Sequence, residues 1–217
     1  MRSFFTLIIF LFLGLKVFAT AQIPDKIIYN GKEYSLNSNP LEAYFEKNPD
    51  KRPTNGIMSS ALWRGYIATF EVKDNQLILE DIEIEYKDST SKEHFNYKWR
   101  SVIEEVFQGQ KDIKIEWLTG LLVIPHGKLV NYVHMGYGST YKKYILLEID
   151  KGNLKREKRF NYKDYERFKE KQFQAFKQTE EYKRIKTDLQ NDGSTDEFVD
   201  TFLRSFVTDY TSKILTE

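Results

Sequence analysis

The chain has 217 residues and no cysteine, with 33 lysines and arginines against 32 aspartates and glutamates. Without disulfides the fold must rest on an ordinary hydrophobic core, and the chain is long enough to build one. The even charge balance offers no overall attraction for nucleic acid or an acidic membrane, so no nucleic-acid partner is expected.

The N-terminus reads as a secretory signal peptide over residues 1–21: a basic start (Met1-Arg2-Ser3), an apolar run over 4–15, and the small-residue site Ala19-Thr20-Ala21. Lys16 breaks the apolar run before the ~20 residues that a spanning helix needs. Cleavage between Ala21 and Gln22 would remove Arg2 and Lys16 and no acid, and would leave an N-terminal glutamine able to cyclise. No cysteine follows the site, so a lipid anchor is not available. The expectation is a secreted or periplasmic protein with no stable membrane anchor after cleavage.

Residues 22–217 read as a single α+β domain, sheet-rich over 22–160 and helical over 162–217. The opening "KIIYNGKEYSL" places two β-prone runs around Asn30-Gly31, a hairpin signal. The proline- and asparagine-rich stretch that follows leaves room for one helical turn over 41–45. "ALWRGYIATFEV" and "QLILEDIEIEY" predict two strands joined at Lys73-Asp74-Asn75. In the second, Leu77 and Leu79 fall on the opposite parity to Ile82 and Ile84, which calls for a β-bulge near Glu80-Asp81. Val102, Ile103, Val106 and Phe107 predict a helix over 99–108, ended by Gly109. Alternation over 113–123 predicts the longest strand, turned back at Pro125-His126-Gly127. "KKYILLEID" and "NLKREKRF" flank Lys151-Gly152 as a further hairpin, and the basic run over 155–159 reads as a charged, exposed strand edge.

The C-terminal third predicts a long helix over 162–189 with an aromatic stripe of Tyr165, Phe168, Phe173 and Phe176. A capping box at Ser194 and Glu197 starts a second helix, in which Phe198, Phe202, Phe206 and Tyr210, widened by Val199, Leu203 and Ile214, form the face laid on the sheet. The expected architecture is an antiparallel twisted sheet of successive hairpins with one central helix and two C-terminal helices.

The stretch "NYVHMGYGSTY" carries the strongest concentration of chemistry. His134 at a strand end could serve as a general base and Ser139 as a nucleophile, with glycine-rich backbone donors for an oxyanion. Against this, "GYGS" lacks the G-x-S-x-G order of a nucleophile elbow, and Gly136 and Gly138 suit a turn. The structural or ligand-contact reading is the favoured one. His94, His126 and His134 lie at no metal-motif spacing, and the loop bearing Asp188, Asp192 and Asp196 lacks the bidentate glutamate of a calcium site, with Val199 in its place. No cofactor is expected. Trp63, Arg64 and Tyr66 are residue types common at interaction hot spots, with a sheet-edge role for Arg64 as the plainer reading.

The blocks W-R-G-Y at 63–66 and Y-V-H-M-G-Y-G-S-x-Y at 132–141 resemble an uncharacterised family of bacterial proteins. The similarity covers the middle third to half of the chain. It implies no activity, but it marks Trp63, Arg64, Gly65, Tyr66, His134, Gly136, Tyr137, Gly138 and Ser139 as a candidate shared surface, and the expected ligand surface also takes in Tyr141. The function expected is therefore a non-catalytic binding or interaction module for a small molecule or another exported protein. The alternatives are a small hydrolase using His134 and Ser139, or an inhibitor or immunity-type partner.

Overall fold

The computed structural model describes residues 20–88, 96–134 and 136–216; residues 1–19 and His94 lie outside them. Strands β1 (Asp25–Tyr29) and β2 (Lys32–Leu36) pair antiparallel as expected, around Asn30 and Gly31 with φ of 52° and 71°. Two successive positive φ angles make the turn whose twist matches its flanking strands. Helix α1 (Glu42–Lys47) follows and buries Phe45 in the main core.

Strand β3 (Ile67–Lys73) begins later than the sequence pattern suggests, so Trp63, Arg64 and Tyr66 are not strand residues. Residues 61–66 form a bend in which Gly65 has φ 73°, a conformation that cannot continue a strand. A Cβ on Gly56 would stand 2.1 Å from the Gly65 carbonyl oxygen, so the two backbone segments meet where no side chain fits. Strand β4 (Gln76–Lys87) then pairs with β3, and Glu80 is the extra residue: Thr69 faces Asp81 while Phe70 faces Leu79. This bulge turns Leu77, Leu79, Ile82 and Ile84 to the interior, as the broken parity required.

The helix expected over 99–108 shrinks to α2 (Ile103–Phe107), and Trp99 belongs instead to β5 (Tyr97–Ser101). The far half of β4 has backbone donors and acceptors to satisfy, and β5 takes them, with Glu85 opposite Trp99. The long strand predicted over 113–123 is also divided. Only β6 (Ile113–Lys114) pairs with β4, and β7 (Gly120–Asn131) starts after a turn. Pro125-His126-Gly127 does not reverse the chain. β7 ends the strand order, so a proline is tolerated there, and Gly127 at φ 80° sits where one residue is added between the His126 and Leu129 pairings. The reversal comes at 132–139, before β8 (Thr140–Asp150), and β9 (Asn153–Asn161) follows across Lys151 and Gly152 as expected.

Among the described residues nine strands form one sheet, in the order β2-β1-β3-β4-β9-β8-β7, with β5 and β6 on β4. It is mostly antiparallel but not wholly so, because β1 runs parallel to β3 after the crossover through α1. The sheet curls: beyond β2 the Asn37 N–H donates to the Val123 carbonyl of β7, at the other end of the order, at 2.9 Å. The main core, including Ile27, Phe70, Leu79, Ile124, Ile145 and Leu147, fills the inside of that curl. The fold is therefore α+β.

Three C-terminal helices stand where two were predicted: α3 (Tyr162–Phe176), α4 (Glu180–Asn191) and α5 (Asp196–Ser205). Thr179 divides the long segment, its hydroxyl accepting from the Tyr182 N–H and donating to the Phe176 carbonyl. The stripe of α3 is buried as predicted. Tyr165 and Phe168 cover the outer face of β7 and β8 at Leu121, Val123, Tyr144 and Leu146, and Phe173 and Phe176 pack with α4 and α5. The cap of α5 is Thr195, whose hydroxyl accepts from the Phe198 N–H, and not Ser194. Its buried face is the aliphatic flank of the expected one, with Phe202 and Tyr210 packed at its border. Val199, Leu203 and Val207 are inside, while Phe198 is 55% and Phe206 39% exposed. α5 packs on helices and not on the sheet, so the aliphatic ridge fits the contact and the aromatic ridge stacks on itself, with Phe202 5.2 Å from Phe206.

Candidate functional site

The two blocks that stand out in the sequence meet through a buried charge. Arg64 is 2% exposed, and its Nη2 donates to an Asp25 carboxylate oxygen at 3.1 Å and to the Ile23 carbonyl at 3.0 Å. Its Nη1 donates to the Tyr137 hydroxyl at 3.3 Å, and that hydroxyl donates to Asn39 Oδ1 at 2.8 Å. The same Asp25 oxygen accepts the Ala68 N–H at 3.0 Å, at the head of β3. A guanidinium can serve three directions at once because its donors are fixed in a plane. Arg64 thus ties β1, the start of β3 and the glycine loop together. Burial pushes the Asp25 carboxyl up to about 6 against the pull of Arg64, and raises the Tyr137 hydroxyl to about 12. Tyr66 is also buried, donating to Glu42, which holds Arg52 through both oxygens.

The loop between β7 and β8 is closed from within. The Ser139 hydroxyl accepts from the Val133 N–H at 3.0 Å and donates to the Val133 carbonyl at 3.3 Å. His134 is exposed, and its ring stands edge-on to Tyr132 at 4.6 Å. The chain on the N-terminal side runs against the loop as well. Ala21 bridges to Gly136, the Gln22 N–H donates to the Gly136 carbonyl at 3.1 Å, and Gln22 Nε2 donates to the Ser60 carbonyl at 2.7 Å.

On the other side of the loop lies a cleft of about 390 Å³, bounded by Tyr137, Gly138, Ser139 and Thr140, by β7 and β8, by α3, and by the segment that follows α5. Its aromatic walls are Tyr137, Tyr144, Tyr165 and Phe206, with Tyr144 and Tyr165 stacked at 4.1 Å. Its charged groups are Glu166, Lys169 and Asp209. Lys169 is held by Glu166 at 2.9 Å and lies 5.3 Å from the centre of the Tyr165 ring. The Thr140 hydroxyl is buried without a hydrogen-bond partner. Asp209 is open to solvent in the cleft, yet the protein walls around it raise its carboxyl to about 6.

Of the residues singled out in the sequence, Tyr137 and Ser139 line this cleft, and Arg64 supports it from behind. Tyr141 packs beside the outer core, Trp63 is 44% exposed with its ring centre 6.0 Å from the Arg64 guanidinium, and Tyr66 faces inward. His126 lies in β7, edge-on to Tyr34 at 5.8 Å, and burial beside Lys143 lowers its pKa. Among the described residues no group of three or more metal-ligating side chains converges. Asp188 is 3.6 Å from Arg184, Asp192 caps α4, and Asp196 accepts from Lys186 at 3.2 Å.

Asp25, Asn39, Thr140, Lys169 and Asp209 carry no readable signal, and Phe206 reads only as part of a helix face. They are ordinary residues whose meaning comes from segments far apart in sequence. No family model, curated protein or solved structure matches the chain.

Proposed function

We propose that the protein is an exported, non-catalytic binding module whose ligand occupies the cleft beneath the glycine loop. The observation that carries this reading is the cleft itself. It is concave, walled in part by aromatic rings, of a volume suited to a small ligand, and has a few polar groups at fixed places. Its loop wall is held by a network that fixes Tyr137 from behind, and such preorganisation favours binding by reducing the ordering cost.

The hydrolase alternative finds less support, because a nucleophile needs a base at its hydroxyl and Ser139 has its hydroxyl engaged in both directions by Val133. The test is a comparison of the parent with Ser139→Ala against ester, peptide, glycoside and phosphate substrates, alongside amide-resolved NMR with a small-molecule library. The expected result is no Ser139-dependent turnover and ligand-induced shifts confined to residues 137–140, 165–169 and 205–209. Turnover lost in a folded Ser139→Ala protein would overturn the proposal.

A further inference from the structure

Resting on the binding reading above, we propose that the cleft takes a small molecule bearing an alkylammonium group, with Asp209 as its counter-ion. The fold leaves one charge in the cleft uncompensated. Two carboxylates and one ammonium line the cleft, and Glu166 and Lys169 already hold each other. Among the described residues no cation stands beside Asp209: the influences on its carboxyl are burial, which raises its pKa, and the Thr208 hydroxyl, which lowers it. An unpaired carboxylate beside aromatic walls favours a positively charged partner, and among the described residues none meets it.

The walls point the same way. Aromatic faces attract cations, and Lys169 over Tyr165 shows the cleft holding one ammonium in that manner. Phe206 is the one aromatic wall left substantially open, because the outward ridge of α5 ends there, three residues before Asp209. An anionic ligand would meet Asp209 and Glu166 without a free cation to offset them. A neutral one would leave Asp209 as it is.

Such an ammonium could come from a free amine or from a lysine side chain, and both share this chemistry. The experiment titrates the protein at pH 7.5 with ethanolamine, putrescine, an Nα-blocked lysine amide and a lysine-containing hexapeptide. Acetate, phosphate and a neutral glycoside serve as the opposed charge classes, all read by backbone amide shifts at residues 137–140 and 205–209. Amines are expected to perturb these amides saturably. Asp209→Asn should weaken the amine by about tenfold, and so should lowering the pH well below 6, because both remove the counter-charge. Phe206→Ala, titrated at a temperature where it is fully folded, should weaken the amine by a smaller factor. Preference for the free amines over the hexapeptide identifies a small-molecule site, and the reverse identifies a lysine side chain. Saturable shifts from the acids or the glycoside but not from amines, or equal amine affinity in Asp209→Asn, would overturn the ammonium assignment while leaving a binding cleft. No response from any probe class would remove the binding reading with it.

Discussion

Arg64 shows how much a single side chain can be asked to do when it is charged and dry. Removing one partner of a buried pair leaves the other unpaired, at a cost of about 3–5 kcal/mol, so Arg64→Ala should fall in that range by urea denaturation. A loss under about 1 kcal/mol, the value of an exposed pair, would mean that the guanidinium is hydrated in solution. Its partner makes a separate prediction. The Asp25 carboxyl, ordinarily near 3.8, lies at about 6 in the folded protein. A carboxyl raised on folding contributes stability that is full below about 3.8 and lost as the pH rises through about 6, because the folded state then holds the proton more tightly. Asp25 thus works against the fold at neutral pH by an amount on the order of 3 kcal/mol, and gentle acidification relieves it. Carbon-detected NMR titration should give a midpoint near 6; one at or below the ordinary value would show that attraction to Arg64 wins over burial. The sequence reading placed Arg64 at a sheet edge because its counter-charge lies 39 residues earlier, in a strand with its own sufficient reason to exist.

At the scale of elements, local signals were reliable where the chain satisfies its own backbone. Asn30-Gly31, Asp74-Asn75 and Lys151-Gly152 all form positive-φ turns, and the parity break in β4 became a bulge at Glu80. Elements failed where a neighbour had to decide. Trp99 has helical spacing but fills the open edge of β4, and α5 shows two usable ridges of which only the helices behind it choose one. The helix start can be tested directly. Thr195→Ala should cost about 1 kcal/mol by removing the acceptor for the Phe198 N–H, while Ser194→Ala should stay within a few tenths. Equal losses would put the cap back at Ser194. The many charges on α4, such as Glu181 with Arg184, are exposed pairs that contribute little to this comparison.

For the molecule as a whole, the last few residues reinforce the joining of the helical layer to the sheet that Tyr165 and Phe168 begin. Ile214 is buried against Leu146 and Phe168, its N–H donates to Glu148 at 3.0 Å, and the Leu215 N–H donates to Gln172 at 2.9 Å. Ile214→Ala should therefore destabilise by about 2–5 kcal/mol, the range for emptying a packed aliphatic site, and loosen amide protection in α3. A parent-like melting curve would mean that the C-terminal segment is not docked. Export makes its prediction at this scale too. Protein recovered outside the cytoplasm of its native host should give an intact mass beginning at Gln22, whose backbone N–H meets Gly136 in the fold; a retained Met1 would refute the cleavage site.

Hydrophobic periodicity and turn chemistry by themselves determined that this is an α+β chain of paired strands followed by amphipathic helices. These are short-range constraints: each turn's φ angles and each strand's parity concern residues within reach of one another. The sequence also marked Tyr137 and Ser139, because glycine and aromatic residues crowd there. Only the tertiary structure decided what they border. The cleft combines a loop near 137, a helix face near 166 and a chain end near 209, and the guanidinium behind it answers a carboxylate from the first strand. No pattern along the chain encodes such meetings, because side-chain periodicity says which face is buried and not which distant segment will cover it.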